Sequence, residues 1–86
     1  MKIYIVNWKE ATFGQDGETF VESGVCDYGY RDEENAVKQI EALAREKADE
    51  CVKECGYADV SGEGDWRCVE AGSNAYKYFI TVVEVE

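Results

Sequence analysis

Four cysteines are the residues of this 86-residue chain whose type could support metal or redox chemistry. Cys51 and Cys55 are four positions apart, which is about one helical turn, and Cys26 and Cys68 lie in segments with strand-like patterns. Four thiolates can close a tetrahedral zinc site, so a small metal-stabilised domain is one interpretation. Cys51 and Cys55 also fall among the apolar positions of the helix pattern, where a reduced cysteine packs as a small hydrophobe. We favour this structural role, expect all four thiols to be shielded in the folded protein, and expect no cofactor.

The segment from Asp59 to Glu70 carries oxygen-bearing side chains at its first, third, fifth and twelfth positions and glycine at its sixth. This spacing resembles the calcium-binding loop of an EF-hand. However, Gly56 ends the helix pattern before the loop, and Arg67 places a cation at the ninth position. We therefore interpret the stretch from Ala58 to Asp65 as a glycine-rich acidic loop and keep calcium binding as an alternative.

General acid–base catalysis finds little support in the sequence. Histidine, the commonest general base, is absent. Carboxylate pairs such as Asp65 with Glu70, or Asp16 with Glu18, are expected by chance among 19 acidic residues. No pattern marks a nucleophile, an oxyanion donor or a phosphate-binding loop. We therefore expect that the protein is not an enzyme.

Charge is the strongest functional signal, because 19 acidic residues against 9 basic ones give a net charge of −10. Such a chain repels nucleic acids and anionic membranes and favours a basic partner. Glu46, Glu50 and Glu54 repeat every four residues, about 6 Å apart along a helix, and could imitate the phosphates of one nucleic-acid strand. A solvated helix face is the alternative. Adding the acidic loop and its flanking aromatic residues, the expected partner-binding residues are Glu46, Glu50, Glu54, Tyr57, Asp59, Glu63, Asp65 and Trp66.

One long helix, predicted from Glu33 to Cys55, positions the glutamate row. Asp32 is a suitable N-cap, and Gly56 can adopt the left-handed conformation that ends a helix. The face away from the row places acids four residues before bases, the favourable order, at Glu34–Lys38, Glu41–Arg45 and Asp49–Lys53. The apolar stripe expected to pack on a sheet contains Val37, Ile40, Leu43, Ala44, Ala48, Cys51, Val52 and Cys55.

Strand patterns flank the helix on both sides. The first and last segments are apolar on both faces, which is typical of interior strands. A glycine-rich loop is expected at 10–18, a bulge at Gly24, and a turn at Gly72-Ser73-Asn74. The predicted fold class is α+β, in the order β-β-α-β-β, a four-stranded, mainly antiparallel sheet with one long helix packed on one face. The strands are predicted at 2–9, 19–28, 66–71 and 75–85.

A single helix covers only part of such a sheet. We therefore expect some of Tyr4, Trp8, Tyr76 and Tyr78 to form an exposed aromatic patch, which could also serve as a homodimer surface. The length indicates a single domain over residues 1–86. No transmembrane or leader pattern is present, so a cytoplasmic location is expected.

Two resemblances bear on function. In size and acidity the chain resembles small phage-encoded anti-CRISPR proteins and other DNA mimics, which implies an inhibitor that occupies a nucleic-acid site on a CRISPR effector. Residues 3–43 are similar to antitoxins of the HicB kind in a hairpin followed by Gly24-Val25-Cys26, Gly29, Asp32-Glu33-Glu34, Ala36 and Ile40. That resemblance implies an inhibitor of a ribonuclease. The sequence thus predicts a non-enzymatic acidic inhibitor of a basic, nucleic-acid-handling protein, with the antitoxin and the metal-stabilised domain as alternatives.

Overall fold

A computed structural model of the protein describes residues 1–85, apart from the side chains at positions 27 and 28. Within this range the protein is α+β, with one helix and one five-stranded sheet in which every pair of neighbouring strands is antiparallel. In chain order the elements are β1 (Lys2–Gly14), β2 (Gly17–Tyr30), α1 (Glu33–Cys55), β3 (Asp59–Ser61), β4 (Trp66–Ala71) and β5 (Asn74–Glu84).

The strand order in the sheet is β2-β1-β5-β4-β3, which confirms the interior placement of the first and last strands. The prediction of four strands is wrong, because β3 forms within the segment interpreted as a loop and pairs with β4. Gly62 makes this tight hairpin possible. Its φ is +115°, and a Cβ at this position would lie 2.5 Å from the carbonyl oxygen of Trp66. Only glycine accommodates both that conformation and that close approach.

The first hairpin is longer than predicted, because both strands extend through the segment assigned to a loop. Gly14 pairs with Gly17, which leaves only Gln15 and Asp16 in the turn. Gly17 has φ +96°. A turn followed by a left-handed glycine keeps a short hairpin in register, so a long loop is unnecessary. The predicted bulge at Gly24 is also wrong, since Gly24 pairs regularly with Trp8 and the irregularities lie elsewhere along the two strands.

Both predicted ends of α1 are confirmed. The backbone N–H of Glu34 donates to the Asp32 carboxylate at 2.9 Å, so Asp32 is the N-cap. Gly56 is left-handed with φ +88°, and its N–H donates to the carbonyl of Val52 at 2.9 Å. These are local interactions that satisfy backbone groups left unpaired at helix ends, and they are therefore encoded by a few neighbouring residues.

The core lies between α1 and one face of the sheet, with Ile40, Val6 and Val69 as its largest fully buried side chains. Ala36, Ala44 and Cys51 complete the buried stripe of the helix. Val52 and Cys55 were predicted in this stripe but are exposed. The packed stripe is therefore narrower than predicted and lacks the two positions nearest the helix C-terminus.

The predicted exposed aromatic patch is wrong, because Tyr4, Trp8, Tyr76 and Tyr78 belong to the face that packs on the helix. Tyr78 is only 8% exposed, and the other three are partly buried against the core. Side chains alternate along a strand, so the residues between these aromatics point to the other side. We call that side, which α1 does not cover, the open sheet face.

Candidate functional site

The acidic helix row, defined as Glu46, Glu50 and Glu54, is exposed along one flank of α1. Lys47 lies within it and forms an ion pair with Glu50, with 3.4 Å between Nζ and Oε2. On the other flank, Glu34 pairs with Lys38 at 3.7 Å as predicted. Glu41 instead binds Arg67 of β4 at 2.8 Å, so this carboxylate links the helix to the sheet rather than to Arg45.

A cleft of about 400 Å³ opens beside Lys47, between α1 and the β1–β2 hairpin. It exists because the single helix packs mainly over β4 and β5 and leaves the helix side of the hairpin partly uncovered. Leu43 and three aromatic rings form its apolar walls, and acidic and basic groups lie around them. The lining residues are Trp8, Lys9, Glu10, Glu22, Cys26, Leu43, Lys47, Tyr76 and Tyr78.

Lys47 occupies one wall of this cleft. Its ammonium lies 4.8 Å from the centroid of the Tyr76 ring, within the range of a cation–π interaction. Glu10 lines the same cleft as Tyr76. Lys47 therefore lies between the Tyr76 ring and the Glu50 carboxylate, an environment that suits a basic side chain.

The two cleft tyrosines have raised pKa values, and burial is the largest cause for each. Burial together with the nearby Cys26, Glu50, Cys51 and Glu46 raises the pKa of Tyr78 to about 12. Burial also raises the pKa of Tyr76, with Glu10 as the largest neighbouring charge. Carboxylates disfavour a second negative charge on the phenol, so both tyrosines are neutral hydrogen-bonding groups at physiological pH.

The remaining predicted binding residues do not join the acidic helix row. Asp59, Glu63 and Asp65 are exposed in and around the β3–β4 hairpin, which borders the flank of α1 that carries Glu41 and Arg45. The hydroxyl of Tyr57 accepts a hydrogen bond from the N–H of Gly72 at 2.9 Å. Trp66 lies on the open sheet face, 5.6 Å from the ammonium of Lys77. The eight predicted residues therefore occupy separate surfaces.

The cysteines do not converge. Cys51 is buried under α1, whereas Cys68 points to the open sheet face opposite Lys77. Cys26 and Cys55 are exposed, so the prediction that all four thiols are shielded is wrong for these two. Burial raises the pKa of Cys51 and Cys68, which keeps both as thiols. Over the described residues, no group of three or more His, Cys, Asp or Glu side chains is arranged to hold a metal ion.

The acidic loop also differs from a calcium site. Asp59 and Ser61 belong to a strand, and Asp59 pairs across the sheet with Glu70. An EF-hand loop instead wraps its ligands around the ion between two helices. The spacing that suggested calcium is therefore the spacing of an acidic β-hairpin.

The hairpin residues Trp8, Glu10 and Glu22 were not predicted in the binding site, and Trp8 was expected in an exposed aromatic patch instead. The available signal was the alternation of side chains along a strand, which places Trp8 and Glu10 on the same face as Val6. This alternation alone does not tell which face the helix covers or how far the helix reaches across the sheet.

Comparison with protein-family models, with curated proteins and with solved structures finds no match to this chain. Among the described residues, no helix has the length and apolar character needed to cross a membrane.

Proposed function

We propose that the protein is a non-enzymatic interaction protein that uses its acidic helix row to bind a basic, nucleic-acid-handling protein. The exposed row on a chain of net charge −10 is the observation that carries this proposal. A CRISPR effector is the first partner to test, following the resemblance to anti-CRISPR proteins. A ribonuclease is the second, following the resemblance to antitoxins.

Charge supports the proposal through the encounter with the partner. Three carboxylates on one helix flank create a local negative field that steers a positively charged surface toward it. Lys47 neutralises part of this field through Glu50, whereas no ion pair of the described residues involves Glu46 or Glu54. A phosphate-binding groove would meet these two carboxylates without displacing another cation.

The cleft supports the proposal by offering an anchor beside the row. Charged surfaces steer association, but affinity usually comes from a few desolvated contacts. Trp8, Leu43 and Tyr76 form an apolar surface next to Lys47, with Glu10 at its edge. An arginine or lysine of the partner that displaced Lys47 from the Tyr76 ring would find both an aromatic face and a carboxylate. The anchor therefore lies in the cleft rather than at Tyr57 and Trp66.

The test changes Glu46, Glu50 and Glu54 to glutamine, which removes three charges while nearly preserving size and helix propensity. We expect the association rate with purified CRISPR effectors or ribonucleases to fall about tenfold or more at low salt. We also expect a shallower dependence of that rate on salt, measured by biolayer interferometry. DNA or RNA should compete for the same site on the partner.

The matched control removes three charges elsewhere, through Asp16→Asn, Glu34→Gln and Glu84→Gln. All three positions are exposed and lie away from the row and the cleft. Glu41 is kept in the control, because its bond to Arg67 connects α1 to β4. Equal losses in both triple variants would mean that only total charge matters and would reject the row as the binding surface. Failure of every basic partner to bind the parent protein would reject the function itself.

A further inference from the structure

The open sheet face carries more exposed apolar surface than a solvated sheet needs. Phe20 is 57% exposed, Phe13 and Val83 are each 43% exposed, and Trp66 is 37% exposed. By strand register these residues all point away from α1. Phe13, Phe20 and Trp66 lie around Ala11 and Ala75, whereas Val83 pairs with Ile3 near the other end of β1. An apolar patch such as the one around these two alanines usually marks a surface that another molecule covers.

The centre of this face is a groove of about 330 Å³. Ala11 and Ala75 are paired directly across β1 and β5 and form its floor. Phe13 and Trp66 line the same groove and stand higher than the alanines. One patch therefore contains both a recess and bulky side chains able to fill a recess. A two-fold interface requires such self-complementarity, because the same patch faces itself.

Charges on the open sheet face are also mixed. Lys9 and Lys77 are direct cross-strand partners, an arrangement of like charges that destabilises a lone sheet. Glu18 and Glu70 line the same groove. Among the ion pairs between described residues, none involves these four side chains. A second copy would bring its glutamates to these lysines and its lysines to these glutamates.

We propose that two copies of this chain pair through their open sheet faces, related by a two-fold axis. A nucleic acid is a poorer occupant, because the two lysines share the groove with two glutamates on a molecule of net charge −10. The proposal does not depend on the proposed function, since the acidic helix row lies on the other side of the sheet.

The open sheet face is large enough for a stable interface. Strands of 13, 14, 3, 6 and 11 residues cover about 750 Å² of flat sheet, at about 3.3 Å per residue and about 4.8 Å between strands. A standard-size interface buries about 800 Å² on each partner, so a dimer would use nearly the whole face.

The first experiment measures mass by sedimentation equilibrium from about 1 µM to about 1 mM protein. We expect the parent to form a dimer within this range. Phe13→Ser with Phe20→Ser should weaken dimerisation at least tenfold, while Val60→Ser with Val82→Ser should not. The control valines are 52% and 53% exposed and lie on the other side of the sheet by register. A parent that stays monomeric, or a phenylalanine variant that dimerises like the parent, would overturn the proposal.

The second experiment tests the charges by mixing two variants. Lys9→Glu with Lys77→Glu makes the groove acidic, whereas Glu18→Lys with Glu70→Lys makes it basic. Each variant alone should be monomeric, and an equimolar mixture should form a heterodimer. Circular dichroism of each charge variant checks that it is folded. If one of them is unfolded, the comparison of the Phe13→Ser/Phe20→Ser variant with the parent tests the proposal instead. A mixture of folded variants that stays monomeric would also overturn the proposal.

Discussion

The missing side chain of Gly24 shapes the cleft, because it leaves room for the indole of Trp8. Gly24 allows the Trp8 indole to lie against β2, because any side chain there would meet the indole nitrogen at 2.8 Å. From the sequence, this glycine suggested a bulge, which is the commoner reason for glycine within a strand. The packing reason depends on a residue of another strand, so no local pattern could have distinguished the two.

Tyr78 makes a pH-dependent contribution to stability that can be measured. Its pKa is raised to about 12 in the folded protein, against about 10 in an unfolded chain. The folded state therefore holds this proton more tightly, and the associated stability is complete below pH 10 and lost as the pH rises toward 12. Tyr78→Phe has no proton to lose. We expect its melting temperature to decline less than that of the parent between about pH 10 and about pH 12.

Thermal melts of both proteins at several alkaline pH values check this prediction, and absorbance at the tyrosinate band follows the titration directly. Tyr76 titrates with a raised pKa in both proteins, so the variant should retain part of the alkaline decline. Identical declines in the parent and the variant would show that Tyr78 is not protected by the fold.

At the scale of elements, the features that short segments encode could be predicted and those set by distant pairing could not. Asp32 and Gly56 make hydrogen bonds with backbone groups within one helical turn, so both helix ends could be predicted from neighbouring residues. The turn at Gly72-Ser73 also has a local cause, because Gly72 has φ +60°. In contrast, β3 has three residues and exists only because β4 pairs with it. The breadth of the packed helix stripe depends in the same way on the sheet beneath it.

The position of α1 on the sheet predicts a graded series of stability changes. Ile40 is fully buried, Leu43 is partly buried at the cleft, and Val52 is 48% exposed. Ile40→Ala should lower the free energy of unfolding by about 2–5 kcal/mol, because it leaves a cavity between helix and sheet. Leu43→Ala should cost less, and Val52→Ala should stay within about 0.5 kcal/mol. Urea unfolding followed by circular dichroism measures all three, and a loss at Val52 as large as that at Ile40 would contradict this placement of the helix.

At the scale of the whole molecule, the sheet separates two kinds of surface. The helix side carries the acidic helix row and the cleft, whereas the open sheet face carries Lys9 and Lys77 among aromatic rings. The sequence placed the row and the 59–65 segment on one surface, because they follow each other along the chain. The chain reverses into β3 on the other flank of α1, so closeness in sequence did not become closeness in space.

A face-to-face dimer would display two acidic helix rows on its outer sides and could engage two basic sites.

Net charge predicts how salt acts on the free protein. The screening length falls from about 30 Å at 0.01 M salt to about 8 Å at 0.15 M. The molecule is 45 × 26 × 18 Å, so at low salt most of its carboxylates repel one another across the whole structure. Because unfolding relieves that repulsion, sodium chloride should raise the melting temperature while it weakens binding to a basic partner.

Thermal melts in sodium chloride at low protein concentration isolate this effect from dimerisation. The variant with Glu46, Glu50 and Glu54 changed to glutamine should show a smaller rise, since three mutually repelling charges are gone. Chloride is the appropriate anion, because sulfate stabilises proteins through solvent exclusion regardless of their charge. A melting temperature that falls with salt would mean that attractive pairs such as Glu41 with Arg67 outweigh the repulsion. In that case ion pairs within the molecule would neutralise most of the acidic surface, and the remaining negative field would be too weak to attract a basic partner.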